Sequence, residues 1–345
     1  MKTIRAAIVG AGVMGRWHAT TARQLGHSVR TIYDADDARA RALATPLGAA
    51  PVSALADALI DVDVVHICTP MSTHAAIARQ ALVAGCSVIC EKPLAASADD
   101  VRMLYQLAQR EGRLLVPTHQ FLFQRGMVEL TGALVSLGQI LHVETLACTA
   151  GASDRDENGA ESVALDVMPH PLSITERLLP GALEQIAWYV GNTPRGELHA
   201  AGSFAGASVD IRISCAGRPP ANQLRVVCRH GTASVDLFHG FAVFDRGGVS
   251  RREKITRPFS SSGRTFAAAT ANLVGRTLRR EPAYPGLREL IGATYAAVAE
   301  GQQPPIAARE SIAVADACAR IADIRAAQFM DTLGARAERG PAQRS

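Results

Sequence analysis

The sequence predicts an α/β fold made of two unlike halves, and three observations carry the prediction. Short β-branched strands alternate with helical stretches through the first third of the chain. The first of those strands ends in Gly10-Ala11-Gly12-Val13-Met14-Gly15, which opens a helical stretch. Beyond about Thr118 the pattern changes to longer alternating strands separated by glycine turns. Together they give an N-terminal Rossmann doubly wound parallel sheet and a C-terminal α/β domain with a largely antiparallel open sheet.

Taken in order, residues 4–9 read as a buried strand and 13–25 as a helix. Residues 29–33 form the next strand, closed by Asp34, and the alanine- and arginine-rich 36–47 a helix. Val-Asp-Val-Val-His-Ile-Cys, 62–68, is a strong strand, followed by a helix at 73–84 and a strand at 87–90. A helix at 98–111 and a strand at 114–116 complete the parallel set. In the second half, 139–149 alternates as a strand, 151–161 reads as a polar loop, and a helical segment runs to Leu179. Strand-like text fills 186–249, and helices return at 265–279, 287–300 and 309–332. The expected division is 1–120, 121–332 and a flexible tail at 333–345.

Composition limits the function classes. At 345 residues the chain suits two domains. A net charge of +4 and 5% aromatic residues do not make the basic, aromatic-laced face that nucleic acid needs. Seven cysteines without a Cys-x-x-Cys pair predict free thiols in a reducing compartment and no structural zinc. The N-terminal apolar run enters a glycine turn rather than a cleavage site, and no stretch has the length of a membrane span, so a cytoplasmic location is expected. His66, His74, His119 and His142 lack metal-ligand spacing, and no metal is expected. No G-x-S-x-G elbow is present for a serine hydrolase.

The glycine turn predicts a dinucleotide site. Gly10 permits a tight turn, Gly12 lets the backbone approach a pyrophosphate, and Gly15 lets the helix pack on its strand. The helix start supplies free N–H groups and a positive dipole end. Asp34 stands where a carboxylate accepts hydrogen bonds from the adenosine ribose and repels a 2′-phosphate, which favours NAD over NADP. Thr69-Pro70, just past a parallel strand, is expected beside the nicotinamide half.

Two clusters carry candidate chemistry. Lys92, in Cys90-Glu91-Lys92-Pro93, follows a parallel strand at the end where ligands bind, and a lysine there can hydrogen-bond a substrate oxygen. In Asp166-Val167-Met168-Pro169-His170-Pro171 a helix begins near Pro169 or Pro171, with His170 at its mouth. Histidine titrates near neutrality and suits taking a hydroxyl proton.

With these residues in place, the chain resembles the Gfo/Idh/MocA oxidoreductases from end to end. The resemblance rests on the glycine turn, Thr69-Pro70 with His74, Glu91-Lys92-Pro93 and Asp166-x-x-x-His170. His119-Gln120-Phe121, Gly138-Gln139-Ile140 and Glu310-Ser311-Ile312 support it. It implies NAD(P)-dependent hydride transfer on sugars, cyclitols or sugar-nucleotides, and a homo-oligomer, dimer or tetramer. It implies Lys92 as substrate anchor, His170 as acid/base and Asp166 as the group that orients substrate. Val13, Met14, His74, Glu91 and Lys92 itself join the cofactor contacts, and His119 and Gln120 the substrate contacts. Ser173 replaces an acid common three residues after the motif histidine, and Leu122 sits near a common arginine, so the substrate is left unassigned. Other readings from the same motifs are a ligand sensor, an NAD-assisted glycoside hydrolase, and an imine or double-bond reductase. At 266–285 the spacing of Phe266, Leu273, Val274 and Leu278 predicts a packed helix with a basic end at Arg276, Arg279 and Arg280. The alternative for this segment is a contact for an anionic substrate or a partner subunit.

Overall fold

The computed structural model describes residues 3–247, 250–279, 281 and 283–338. The first sheet is built by β1 (Arg5–Val9), β2 (Ser28–Tyr33), β3 (Ala50–Val52), β4 (Val64–Ile67), β5 (Ser87–Cys90) and β6 (Leu115–Pro117), with spatial order β3-β2-β1-β4-β5-β6. Its paired strands are all parallel. The order reverses beside β1, so the ligand crevice opens at the carboxyl ends of β1 and β4. The intervening helices are α1 (Val13–Gln24), α2 (Asp37–Ala44), α3 (Leu55–Ala58), α4 (Met71–Val83) and α5 (Ala98–Arg110). The central strands β1, β4 and β5 are buried on both faces, as their largely apolar runs require.

The chain then passes through α6 (Arg125–Leu137), β7 (Ile140–Cys148), α7 (Glu157–Val167), α8 (Pro169–Leu178) and α9 (Ala182–Gln185). The second sheet adds β8 (Tyr189–Val190), β9 (Glu197–Phe204), β10 (Ala207–Ser214), β11 (Ala221–Cys228), β12 (Gly231–Asp236) and β13 (Phe241–Arg246). Its order is β13-β12-β11-β7-β10-β9-β8, and only the β7–β10 pairing is parallel. The predicted fold class is borne out. Alternation along β10 turns Val209, Ile211 and Ile213 toward the helices, where they pack with Ala164, Met168 and Leu172.

Three helices close the chain: α10 (Arg251–Arg279), α11 (Leu287–Glu300) and α12 (Ala308–Glu338). Helix α11 returns to the first sheet, where Leu287, Ile291 and Tyr295 join the core around Ile4, Ile8 and Ile32. Helix α12 bridges the halves. Ser311 accepts a hydrogen bond from the Tyr105 hydroxyl (2.7 Å), and Arg177 of α8 is paired with Glu310 (2.9 Å). Deep in the second half, the fully buried Arg325 holds Glu161 through two nitrogens and donates to the carbonyls of Thr193, Pro194 and Glu197. Such a pair is tolerable only when every donor is used.

Several expectations need correction. Strand β3 was not predicted, because Ala-Pro-Val is too short and too weak a β-former to stand out. The loop expected over 151–161 ends early: Asp156 caps α7 by accepting the Gly159 N–H (2.8 Å). Helix α10 starts at Arg251 rather than at residue 265, and it is not a packed helix. Phe266, Leu273, Val274 and Leu278 are exposed, and Asn272 is its one buried residue among those described. Residues 333–338 of the expected tail continue α12, whereas Arg280 and 339–345 lie outside the described residues. Among the described residues no helix is long and apolar enough to cross a membrane.

Candidate active site

The glycine turn shapes one end of the cleft. Gly10 has φ +98°, and a Cβ there would meet the Cys68 carbonyl oxygen at 2.6 Å. The turn therefore lies directly against the chain leaving β4, which carries Thr69 and Pro70. A Cβ on Gly15 would stand 1.8 Å from the Gly10 carbonyl oxygen, so the helix can approach its strand only with glycine. Gly12 is different: a Cβ there meets nothing within 4 Å. It caps α1 with no side-chain hydrogen bond and no acid in the first turn. Unpaired N–H groups at a helix start, facing open space, fit a diphosphate. Asp34 accepts the Ala11 N–H at one oxygen (2.7 Å) and the Asp36 N–H at the other (2.9 Å). Each oxygen keeps a lone pair for a ribose hydroxyl.

A cleft of about 1320 Å³ runs from this turn into the space between the halves. Met14, Thr69, His74, Glu91, Lys92, Gln120, Asp166 and His170 all line it. Lys92 leaves the end of β5, and its Nζ donates to Asp166 Oδ2 (2.7 Å) and to the Asp166 carbonyl oxygen (2.9 Å), across the two halves. An ammonium has three N–H donors, so one remains for another oxygen.

His170 follows Pro169, the first residue of α8, so the helix does begin where the proline spacing predicts. The ring packs on Phe121 with centroids 4.6 Å apart. Its Nδ1 is buried without a partner. Burial, then the nearby Lys92 charge and His119, hold the imidazole well below its ordinary pKa. His119 is pushed down to about 3, by burial first, then by Lys92 and Arg177. Both rings are neutral near pH 7, and a neutral imidazole can take up a proton.

Some expected contacts fall elsewhere. His119 lies behind Lys92, lining a smaller apolar cavity of about 170 Å³. Both nitrogens of His74 are engaged by carbonyl oxygens, Pro93 at 2.8 Å and Thr69 at 2.8 Å, so it ties two loops together. Val13, the first residue of α1, is exposed and is not among the residues lining the cleft. Ser173 turns inward and donates to the His170 carbonyl oxygen (2.8 Å), and Leu122 is core. Sequence reasoning missed the far wall: Leu237, Phe238 and His239 after β12, Arg276 of α10, and Tyr284. Tyr284 holds a left-handed φ of 51° and packs on Trp17, 5.6 Å between centroids. Arg276 reaches the wall by donating to the His239 carbonyl oxygen (3.0 Å). Also missed was the partner of Glu91, the buried His18 (3.1 Å). The histidine inside the apolar β4 was a signal, since a buried imidazole needs partners.

Comparison with known proteins follows the same lines. Residues 4–119 match the model of an oxidoreductase family with an NAD-binding Rossmann fold. The chain is 40% identical to inositol 2-dehydrogenase 1 of Saccharopolyspora erythraea over 122 residues, covering 33% of this chain and 36% of that protein. It thus spans about a third of the length of that relative. It is 28% identical to UDP-N-acetylglucosamine 3-dehydrogenase of Acidithiobacillus ferrooxidans over 251 residues, 71% of this chain and 78% of that protein. The solved structure of the latter enzyme superposes with a TM-score of 0.71 at 20% identity, over 93% of this chain and 97% of that one. A dehydrogenase of Bordetella pertussis, solved with NADH and UDP-GlcNAcA, gives a TM-score of 0.73 at 17% identity over 93% and 96%. These superpositions extend the shared fold through both halves.

Proposed function

Through residues 4–119 the chain belongs to the Gfo/Idh/MocA oxidoreductase family, and from that premise we propose an NAD-dependent dehydrogenase acting on a sugar, cyclitol or sugar-nucleotide. The observation that carries the reading is the Lys92–Asp166 pair, set in the same cleft as His170 and as Met14 of the glycine turn. NAD held in this cleft would supply the hydride acceptor for oxidation of a substrate carbon. Gly10, Gly12, Met14, Gly15 and Asp34 would hold its diphosphate and adenosine ribose, and Thr69, Pro70 and Glu91 would receive its nicotinamide half. The third N–H of Lys92 donates to the reacting oxygen and favours its negative charge. Neutral His170 takes the hydroxyl proton on oxidation and returns it on reduction. Asp166 fixes Lys92, and its exposed carboxylate accepts a second substrate hydroxyl, beside Gln120. Inositol and UDP-N-acetylglucosamine are the substrates in the names of two relatives, and both are polyols.

The division at 120/121 follows the change of sheet, with α11 lent back to the first half. The protein works in the cytoplasm as a homo-oligomer. The exposed apolar side chains of α10, Phe259 at 80% and Phe266 at 74%, support association.

The test is a cofactor-coupled absorbance screen with inositols, pentoses, hexoses and UDP-hexoses, using wild type, Lys92→Met and His170→Ala. Wild type forms NADH with one of these classes. Each substitution lowers turnover by about 10²–10⁴-fold. Near-wild-type rates in both variants contradict the assignment.

A further inference from the structure

Glu91 is the cleft end of a buried hydrogen-bond chain that crosses the first sheet. Its Oε1 lies 3.1 Å from His18 Nε2 on α1. His18 Nδ1 lies 2.9 Å from His66 Nδ1 on β4. His66 Nε2 lies 2.6 Å from the Tyr295 hydroxyl on α11. The two histidines are fully buried and Tyr295 is 1% exposed. Four elements distant in sequence are joined, and each contributes one polar group to a core that is otherwise apolar.

In the state with both imidazoles neutral, the chemistry of the donors allows one arrangement. The Glu91 carboxylate only accepts, so His18 Nε2 carries hydrogen and donates. Two adjacent buried imidazoles cannot both hold charge, and burial together with His18 keeps His66 well below its ordinary pKa. In that state His18 Nδ1 accepts, so His66 carries its hydrogen on Nδ1. His66 Nε2 is then bare and accepts from the Tyr295 hydroxyl, whose pKa burial pushes up, keeping it a donor. Every hydrogen bond points from Tyr295 toward the cleft, and such chains reinforce one another. At the far end, the second oxygen of Glu91 accepts the N–H of Lys92 (3.3 Å).

We infer that His18, His66 and Tyr295 are positioning residues that hold the Glu91 carboxylate in one orientation, ready to accept hydrogen bonds from the nicotinamide ribose of a bound dinucleotide. Tyr295 touches neither cofactor nor substrate; it acts by fixing which nitrogen of His66, and then of His18, bears hydrogen. The inference rests on reading the cleft as a dinucleotide site.

Long-range ¹H–¹⁵N correlation spectra of histidine-labelled protein at alkaline pH read the tautomers directly. His66→Asn and His18→Asn spectra assign the signals. The expected result is hydrogen on Nδ1 of His66 and on Nε2 of His18. NADH titration by fluorescence then compares two variants that each lose one buried tyrosine hydroxyl, Tyr295→Phe and Tyr105→Phe. The Tyr105 hydroxyl donates to Ser311, away from the chain. Tyr295→Phe weakens NADH binding about tenfold, and Tyr105→Phe leaves it unchanged. Hydrogen on Nε2 of His66, or equal NADH affinity in the two variants, overturns the inference. A wild-type protein that binds no NADH overturns the reading of the cleft, whatever the tautomers.

Discussion

Lowering the pH should destabilise this protein through His119, by an amount the structure sets. The ring is 4% exposed, has no hydrogen-bond partner at Nδ1 and faces the charges of Lys92 and Arg177. Its pKa falls from 6.5 in the unfolded chain to about 3 in the fold. The unfolded state therefore binds a proton that the native state refuses, and stability falls as pH drops from about 6.5 toward 3. Each tenfold drop in proton affinity corresponds to about 1.4 kcal/mol. At about pH 5 the unfolded ring is almost fully protonated and the native ring is not, a loss of about 2 kcal/mol relative to pH 8. That is a large share of a typical folding free energy. His119→Asn removes the titration. Urea unfolding at two pH values measures it: the wild type loses about 2 kcal/mol more than the variant between alkaline and mildly acid pH. Parallel losses in the two proteins would refute a buried, unpartnered His119.

Four further outcomes follow from other parts of the molecule. Gly12→Ala, whose Cβ enters open space, leaves the unfolding midpoint unchanged and weakens NADH binding at least about tenfold, whereas Gly15→Ala costs about 3 kcal/mol of stability; calorimetry and fluorescence titration separate the two. Arg325→Met strands the buried Glu161 and costs about 3–5 kcal/mol in urea unfolding. Titration with both dinucleotides should find NAD bound at least about tenfold more tightly than NADP, because Asp34 repels a 2′-phosphate, and Asp34→Asn should narrow the gap. Phe259→Ser combined with Phe266→Ser should shift sedimentation toward a smaller species, since these exposed rings are the supports for association on α10.

The legible parts of the sequence were those governed by local rules. The glycine turn announced itself because Gly10 and Gly15 each meet a main-chain oxygen that no Cβ clears. Lys92 and Asp166 were found as motifs, though 74 residues separate them and no local rule says that they pair. Pro169 marked the start of α8 because a proline fits the first helical turn. The failures have the opposite character. Helix α10 carries helical periodicity, but periodicity does not say whether anything covers the apolar stripe, and here little does. Asp156 as a cap was hidden in a run of acids and glycines. The Glu91-to-Tyr295 chain joins residues 73, 48 and 229 positions apart, and pairings of that range are created by the tertiary fold alone. His119 was expected against the substrate, yet the chain after β6 turns it behind Lys92 into an apolar pocket.

Hydride transfer from a polyol carbon to NAD, beside Lys92 and His170, can be followed by isotope. The direct measurement uses a substrate deuterated at the carbon to be oxidised, followed by mass analysis of the reduced cofactor. The wild type should give NADH heavier by the transferred deuterium, with a ketone product in equal amount, and Lys92→Met should give neither. Product formed with no net reduced cofactor, or reduced cofactor carrying no deuterium, would contradict it.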